Sequence, residues 1–393
     1  MTFRTSPPAL RVMIVALHLA LEMGSMRIVY VLNSLGIGGA ERQVLALAEG
    51  MVRRGHVVTL LVLCPRLQDE WPTTADAVYL EMRKTPGSIL AGLVQAFRFL
   101  RDFRPDMVHG QSFHSNIVAR LLKLFVPAPT VLSTIHNVYE GSWPRMLAYR
   151  LTDGLSHRTV AVSAAIERRF VRLKAVSRGK CIVIPNAIDL GEFVPDAARR
   201  AQMRTAVKAE DGFIWLAVGR IAPSKDYPNL LRAFANVHAI RQDARLWIAG
   251  QAAAHTASVL HALAASLNIA GCIRWLGLRR DVSALLDAAD AFVQASAWEG
   301  MPLAVGEAMA MEKPLVVTDA GGVRELVDEA GVVVPCRNPE ALAQAMVGLM
   351  EQPLAVRQAL ARTARERIVS QFNMDARVAQ WEALYLSLAE VKN

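Results

Sequence analysis

The sequence predicts an α/β protein of two doubly wound, Rossmann-like parallel sheets facing each other across a cleft. Three observations carry this. Short β-branched runs alternate with longer amphipathic stretches, the alternation pauses at a Pro- and Asp-containing segment and then restarts, and 393 residues exceed one ordinary core. At roughly 100–200 residues per domain, the length implies two domains.

From Met26 the first series reads "RIVYVL", a helical 40–53, "VVTLLVL", a helical 87–103, "DMVH", a helical 113–125, "TVLSTIH", "RTVAVS", a helical 164–174 and "CIVIP". Strands that alternate with helices need crossover connections, which place helices on both faces of a parallel sheet. Residues 185–211 read as the linker. The second series follows with "FIWLAVGR", a helical 226–240, "ARLWIAG", a helical 255–267, "CIRWLG", a helical 281–288, "DAFVQAS", a helix from about Leu303, "KPLVVTD" and "GVVVP". Helical segments 339–350, 355–370 and 375–389 close the chain. The division expected is an extension over 1–25, a first domain over 26–188, a second over 189–370, and a closing helix over 371–393 that packs back on the first.

The chain is 53% hydrophobic, yet it has no uninterrupted apolar run near the ~20 residues a spanning helix requires, so it reads as soluble or peripheral. "LRVMIVALHLALEMG" is a poor signal peptide, because His18 and Glu22 interrupt it and no Ala-x-Ala site follows. Residues 1–25 read as an extension, a misassigned start ahead of Met26, or a short membrane-anchoring helix. Cys64, Cys181, Cys272 and Cys336 lie far apart without Cys-x-x-Cys or metal-ligand spacing. Each is expected to be a small buried apolar residue, as suits a reducing cytosol.

Charge is uneven. Residues 1–190 hold 23 Lys+Arg against 13 Asp+Glu, a balance of +10, whereas residues 191–393 hold 21 against 22, a balance of −1. The basic half, densest in "ERRFVRLKAVSRGK" and mixed with aromatics in "WPRMLAYR", reads either as a face for anionic lipid headgroups or as an ordinary solvated face. No zinc-finger, RRM-like or helix-turn-helix signature accompanies it, so nucleic acid is not an expected partner.

In open α/β sheets ligands bind at the carboxyl ends of the strands, so the strand-to-helix loops hold the candidate site. "NSLGIGGAERQ" fails the dinucleotide fingerprint, because the third glycine position is Glu41, and no acid ends the second strand. A nicotinamide enzyme is therefore a distant alternative. Gly38 and Gly39 remain a glycine loop at a helix N-terminus, able to receive a phosphate or let a substrate approach. "AVGRIAPSKD" sets Arg220 and Lys225 in a loop, where two cations can flank a diphosphate. In "SAWEGMPLAVGEAMA", Pro302 suits the first helical position, so Glu299 and Gly300 precede the helix and Glu307 falls in an early turn. Acids in so apolar a stretch are either solvated or bound to a polar ligand. Carboxylates match the vicinal diols of a sugar and a ribose, and the free N–H groups of Gly300, Met301 and Leu303 match phosphate oxygens. Diol, phosphate and diol together make a nucleotide-sugar. Read singly, Glu307 is a helix-face acid and Glu299 a cap.

These residues carry a family resemblance. From about Met26 to the C-terminus the chain resembles a glycosyltransferase family 4 protein of GT-B architecture, through "GGAE", "DMVHGQSFHSN", "TIHN", "VIPNAID", Gly219-Arg220 with Lys225, "EGMPLAVGE" and "TDAGGVRELV". The resemblance implies a retaining transferase in which Arg220 and Lys225 bind the donor diphosphate, Glu299 the transferred sugar and Glu307 the ribose, while the first domain binds the acceptor. Two positions depart from the pattern. Gln111 stands where many relatives have a second His, with His114 following, and "AGQAAAH" replaces a Gly-x-Gly loop.

His136 is expected to orient the acceptor or the transferred sugar; His109 and His114 rank below it, and Asn186 reads as a turn and hinge residue. No Asp-x-Asp motif lies near the donor residues, so no divalent metal is expected. The partners implied are a UDP- or GDP-sugar donor, a lipid-linked or polysaccharide acceptor and an anionic inner-membrane surface, with the protein cytoplasmic and peripheral. An epimerase on the same scaffold and a non-catalytic membrane-surface protein are the alternatives.

Overall fold

The computed structural model describes residues 25–126, 129–207 and 212–390. The reading of the first 24 residues as an extension or anchor falls outside them. The first sheet has seven parallel strands: β1 Arg27–Leu32, β2 Val57–Val62, β3 Asp76–Tyr79, β4 Met107–Gln111, β5 Thr130–Ile135, β6 Arg158–Ala161 and β7 Cys181–Val183, in the order β3-β2-β1-β4-β5-β6-β7. The second has six: β8 Phe213–Val218, β9 Ala244–Ala249, β10 Ile273–Gly277, β11 Ala291–Gln294, β12 Leu315–Thr318 and β13 Val332–Val334, in the order β10-β9-β8-β11-β12-β13, again all parallel.

The central strands are buried on both faces, which is why they read as continuous apolar runs rather than as alternating ones. Each sheet reverses its strand order once, between β1 and β4 and between β8 and β11. At such a switch point the adjoining loops diverge and leave a crevice. Four loops follow from this, those after β1, β4, β8 and β11.

Several helices have readable boundaries. In Gly39–Arg53 the acid of Glu41 sits in the first turn and the cation of Arg53 in the last, both favourable to the helix dipole. Its inward face carries Val44, Leu45, Leu47, Ala48 and Met51. The presumed linker contains another helix, Ala197–Ala206, whose cap Asp196 accepts the N–H groups of Ala198 and Arg199 at 2.8 and 3.1 Å. Edge strand β3 and helices Trp143–Thr152 and Val323–Val327 also add to the sequence reading. Pro302 lies one position earlier than expected, as the cap of a helix beginning at Leu303.

Helix Met374–Glu390 packs on the first sheet. The Tyr385 hydroxyl lies 3.1 Å from that of Tyr30 and 2.8 Å from Nδ1 of His109, and Trp381 is buried in the same cluster. The chain returns beside its own outgoing crossover: Ile188 N–H donates to the Phe372 carbonyl at 2.8 Å and Met374 N–H to the Ile188 carbonyl at 3.2 Å. Further ties join the domains. Glu325 accepts the N–H groups of Ala164 and Ala165, at 2.7 and 2.8 Å, and Asn186 donates to the Met301 carbonyl at 3.1 Å.

The cysteines are free, but only Cys181 is fully buried; Cys64, Cys272 and Cys336 are half-buried, because they sit at strand ends and loops rather than within the sheets. No helix among the described residues is long and apolar enough to cross a membrane.

Candidate functional site

A cleft of about 390 Å³ opens between the carboxyl ends of the two sheets. Gly38 and Gly39 line it from the first domain, with His136 from the loop after β5. Arg220 and Lys225 come from the loop after β8, and Glu299, Gly300, Met301, Leu303 and Glu307 from the loop and helix after β11. Gly38, Gly39, His136, Arg220, Lys225, Glu299, Gly300, Met301, Leu303 and Glu307 thus border one crevice, although they span some 270 positions of chain, whereas His109 and His114 do not line it. The topology explains the convergence, since all of these loops leave the same edge of a parallel sheet.

The two acids are neither solvated nor bare. Lys225 Nζ lies 2.6 Å from Glu299 Oε1, which also accepts from the Ser296 hydroxyl at 2.7 Å. Arg42 Nη1 donates to Glu307 Oε1 at 2.9 Å, and its second arm reaches Glu192. The sequence reading of two acids that are either solvated or ligand-bound is corrected here: each is buried with a cation at hydrogen-bond distance, which is how a protein interior retains a carboxylate. Burial pushes the Glu307 carboxyl up, while Arg42 and Lys225 draw it down and Glu192 opposes them.

Burial raises the pKa of the Glu41 carboxyl, and Arg220, exposed at the cleft, lies close enough to draw it down only in part. In the sequence, Glu41 mattered only as a missing glycine and as the end of "GGAE". Its place in the first turn of a cleft-lining helix was the available signal, and Arg42 beside it was missed altogether.

His136 is half-buried at the cleft, and desolvation of its ring lowers its pKa to about 4, so the ring is neutral near pH 7. Its Nε2 lies 2.8 Å from Gln111 Oε1, and Nδ1 has no partner among the described residues. Gln111 therefore meets the histidine directly. His109 is a core residue held between Tyr385 and Thr134, and burial takes it down to about 3. His114 is exposed outside the cleft wall. Glu140, which sequence reasoning passed over, lines the cleft; burial pushes its carboxyl up to about 7, and it accepts from the Tyr149 hydroxyl at 2.5 Å. Among the described residues no three of His, Cys, Asp and Glu cluster as a metal site.

Two all-parallel sheets facing a crevice edged by glycine, cation and carboxylate loops define the GT-B class. The family model described as Glycosyltransferase Family 4 matches residues 37–192, and that described as Glycosyl transferases group 1 matches residues 212–352. The chain belongs to these GT4-type glycosyltransferases. It is 24% identical over 316 residues to the UDP-Gal:alpha-D-GlcNAc-diphosphoundecaprenol alpha-1,3-galactosyltransferase of Escherichia coli, covering 76% of this chain and 80% of that one. It is 28% identical over 378 residues to a D-inositol 3-phosphate glycosyltransferase of Kineococcus radiotolerans, covering 84% and 86%. Among solved structures, Anabaena Alr3699/HepE in complex with UDP-glucose superposes with a TM-score of 0.79 at 19% identity, covering 92% of this chain and 100% of that one.

Proposed function

We propose that this protein transfers a hexose from a UDP- or GDP-sugar, with retention of configuration, to a lipid-linked or surface-polysaccharide acceptor. The observation that carries the reading is the meeting of Arg220, Lys225, Glu299 and Glu307 in one cleft. Arg220 and Lys225 hold the diphosphate, Glu299 the hexose and Glu307 the ribose, with the N–H groups at Gly300, Met301 and Leu303 directed to phosphate oxygens. The Gly38–Gly39 turn lets the phosphates approach the first domain.

As the glycosidic C–O bond breaks, negative charge grows on the β-phosphate, and fixed cations stabilise that charge more than the ground state. The departing phosphate oxygen then takes the proton of the acceptor hydroxyl as the new C–O bond forms on the same face. Neutral His136 presents an imidazole to hydroxyl groups and serves as an orienting partner rather than a cationic acid. Arg220, Lys225 and the helix N-terminus neutralise the phosphates without a divalent ion, so turnover should persist in excess chelator.

The membrane part of the proposal rests on the first domain. Trp143 and Leu151 are 71% and 74% exposed on helix Trp143–Thr152, which carries Arg145 and Arg150 and packs against Phe113–Leu122. Such a face suits the anionic cytoplasmic surface of an inner membrane. Purified protein mixed with UDP- and GDP-sugars, with and without acceptor lipid, should release nucleotide chiefly when acceptor is present. Nucleotide-sugar conversion without acceptor would replace the transferase by an epimerase, and no binding of any nucleotide-sugar would remove the proposal. Sedimentation with anionic vesicles should fall as salt rises; absent or salt-insensitive binding would refute the membrane role.

A further inference from the structure

Arg42 joins three parts of the chain. It projects from helix Gly39–Arg53 of the first domain, meets Glu307 of the second at 2.9 Å, and turns its other arm to Glu192 of the crossover. Its guanidinium lies 5.3 Å from the ring centre of Trp71 and 5.0 Å from that of Phe193. Such stacking fixes the plane of the fork. Arg42 and Glu307 also border both the cleft and a second cavity of about 310 Å³ behind it, so the ion pair forms part of the wall between them.

We propose that Arg42 is a positioning residue for the donor, which holds Glu307 charged and in one orientation so that its other carboxylate oxygen is presented to the ribose diol. This rests on the assignment of Glu307 to the ribose. Oε1 of Glu307 is taken by Arg42, and no described residue hydrogen-bonds Oε2. A carboxylate buried on a helix with no cation beside it takes up a proton and then has fewer lone pairs to offer a diol. The fork prevents this from across the domain boundary. Ribose recognition thereby becomes conditional on closure, because moving the sheets apart withdraws Arg42 from Glu307.

The charged surroundings of Glu307 are few. Arg42 faces it from the first domain, Glu192 lies in the crossover with Asp189 near Arg42, and Lys225 acts on it from the loop after β8 of the same domain. On the neighbouring helix Leu354–Gln371, Arg365 is turned to the carbonyl of Ala310, at the far end of the Glu307 helix.

The test is calorimetric titration of the full chain with UDP and with 2′,3′-dideoxy-UDP, repeated with the guanosine pair. In Arg42→Gln the ribonucleotide should bind about 10- to 100-fold more weakly at pH 7, the scale of one lost charged hydrogen bond, with the dideoxy nucleotide unchanged. Raising the pH should recover ribonucleotide affinity in Arg42→Gln, as Glu307 ionises without its cation, while wild type stays level over the same range. Arg42→Lys keeps the charge without the fork and should show a smaller loss, again confined to the ribonucleotide; it also decides the matter should Arg42→Gln not fold. Equal weakening of both nucleotides would make Arg42 merely structural, and tighter ribonucleotide binding would make it a competitor of the diol; either overturns the proposal. Wild type that binds neither UDP nor GDP sinks the donor assignment itself, whereas wild-type binding with unaltered variants sinks this inference alone.

Discussion

A side-chain carbon on Gly300 would stand 2.6 Å from the carbonyl carbon of His136, so the loop of one domain meets the backbone of the other with no room for a methyl group. The neighbour is main chain, which cannot rotate away as a flexible side chain could.

Gly300→Ala is therefore expected to part the domains, lowering stability by about 1–3 kcal/mol and weakening nucleotide binding. Gly348 is the contrasting position, exposed on helix Pro339–Glu351 with open space around it. There Ala should add about 0.5–1 kcal/mol through helix propensity. Thermal unfolding and nucleotide titration of the two variants compare them, and equal behaviour would show that the interdomain contact has no role.

Lys225 lies 2.6 Å from Glu299, and removal of the cation leaves that acid with Ser296 and Gln294 as its polar partners. Lys225→Met should lower turnover by about 10²- to 10³-fold, as expected for loss of one preorganised charge at a developing anion. Initial rates at saturating donor measure this; an unchanged kcat would remove Lys225 from the chemistry.

Glu140 gives a pH signature in stability. Its folded-state pKa, pushed up to about 7 by burial, exceeds that of an ordinary carboxyl, so the native state keeps a proton that the unfolded chain releases. This group therefore costs stability as pH rises between the unfolded and folded values, and the cost is complete above about 7. Glu140→Gln should gain on wild type through that window by an amount on the order of 1–3 kcal/mol, with little difference below it. Urea unfolding at pH 4 and pH 8 checks the sign, and a larger gain at the acid end would refute the assignment.

Trp381 and Tyr385 belong to the core of a domain whose strands lie more than 170 positions earlier in the chain. Trp381→Ala should cost about 3–5 kcal/mol and unfold the first domain rather than the second. Hydrogen exchange resolved by segment distinguishes them: protection should be lost over β1 and β4 and kept over β8 and β11.

Much of this architecture was legible in the sequence because the signals are local. A strand buried on both faces must be a short apolar run, and a helix on its face must repeat its apolar positions about every 3.6 residues. Where burial is slight the signal fades. β3, "DAVY", is a four-residue edge strand with two exposed positions, and helix Trp143–Thr152 buries only Met146 and Tyr149. The candidate cleft residues were legible as residue types in loops. What each of them touches was not.

The sequence by itself determined two parallel sheets, a crossing between them, and the cations, carboxylates and glycines offered at strand ends. Only the tertiary structure decided that Glu307 meets Arg42 from 265 positions away, that His109 is core while His136 borders the cleft, and that the last helix completes the first domain. The physical reason is that secondary structure follows the spacing of neighbours along the chain, whereas a buried charge takes its partner from whichever loops the strand order brings to the same edge.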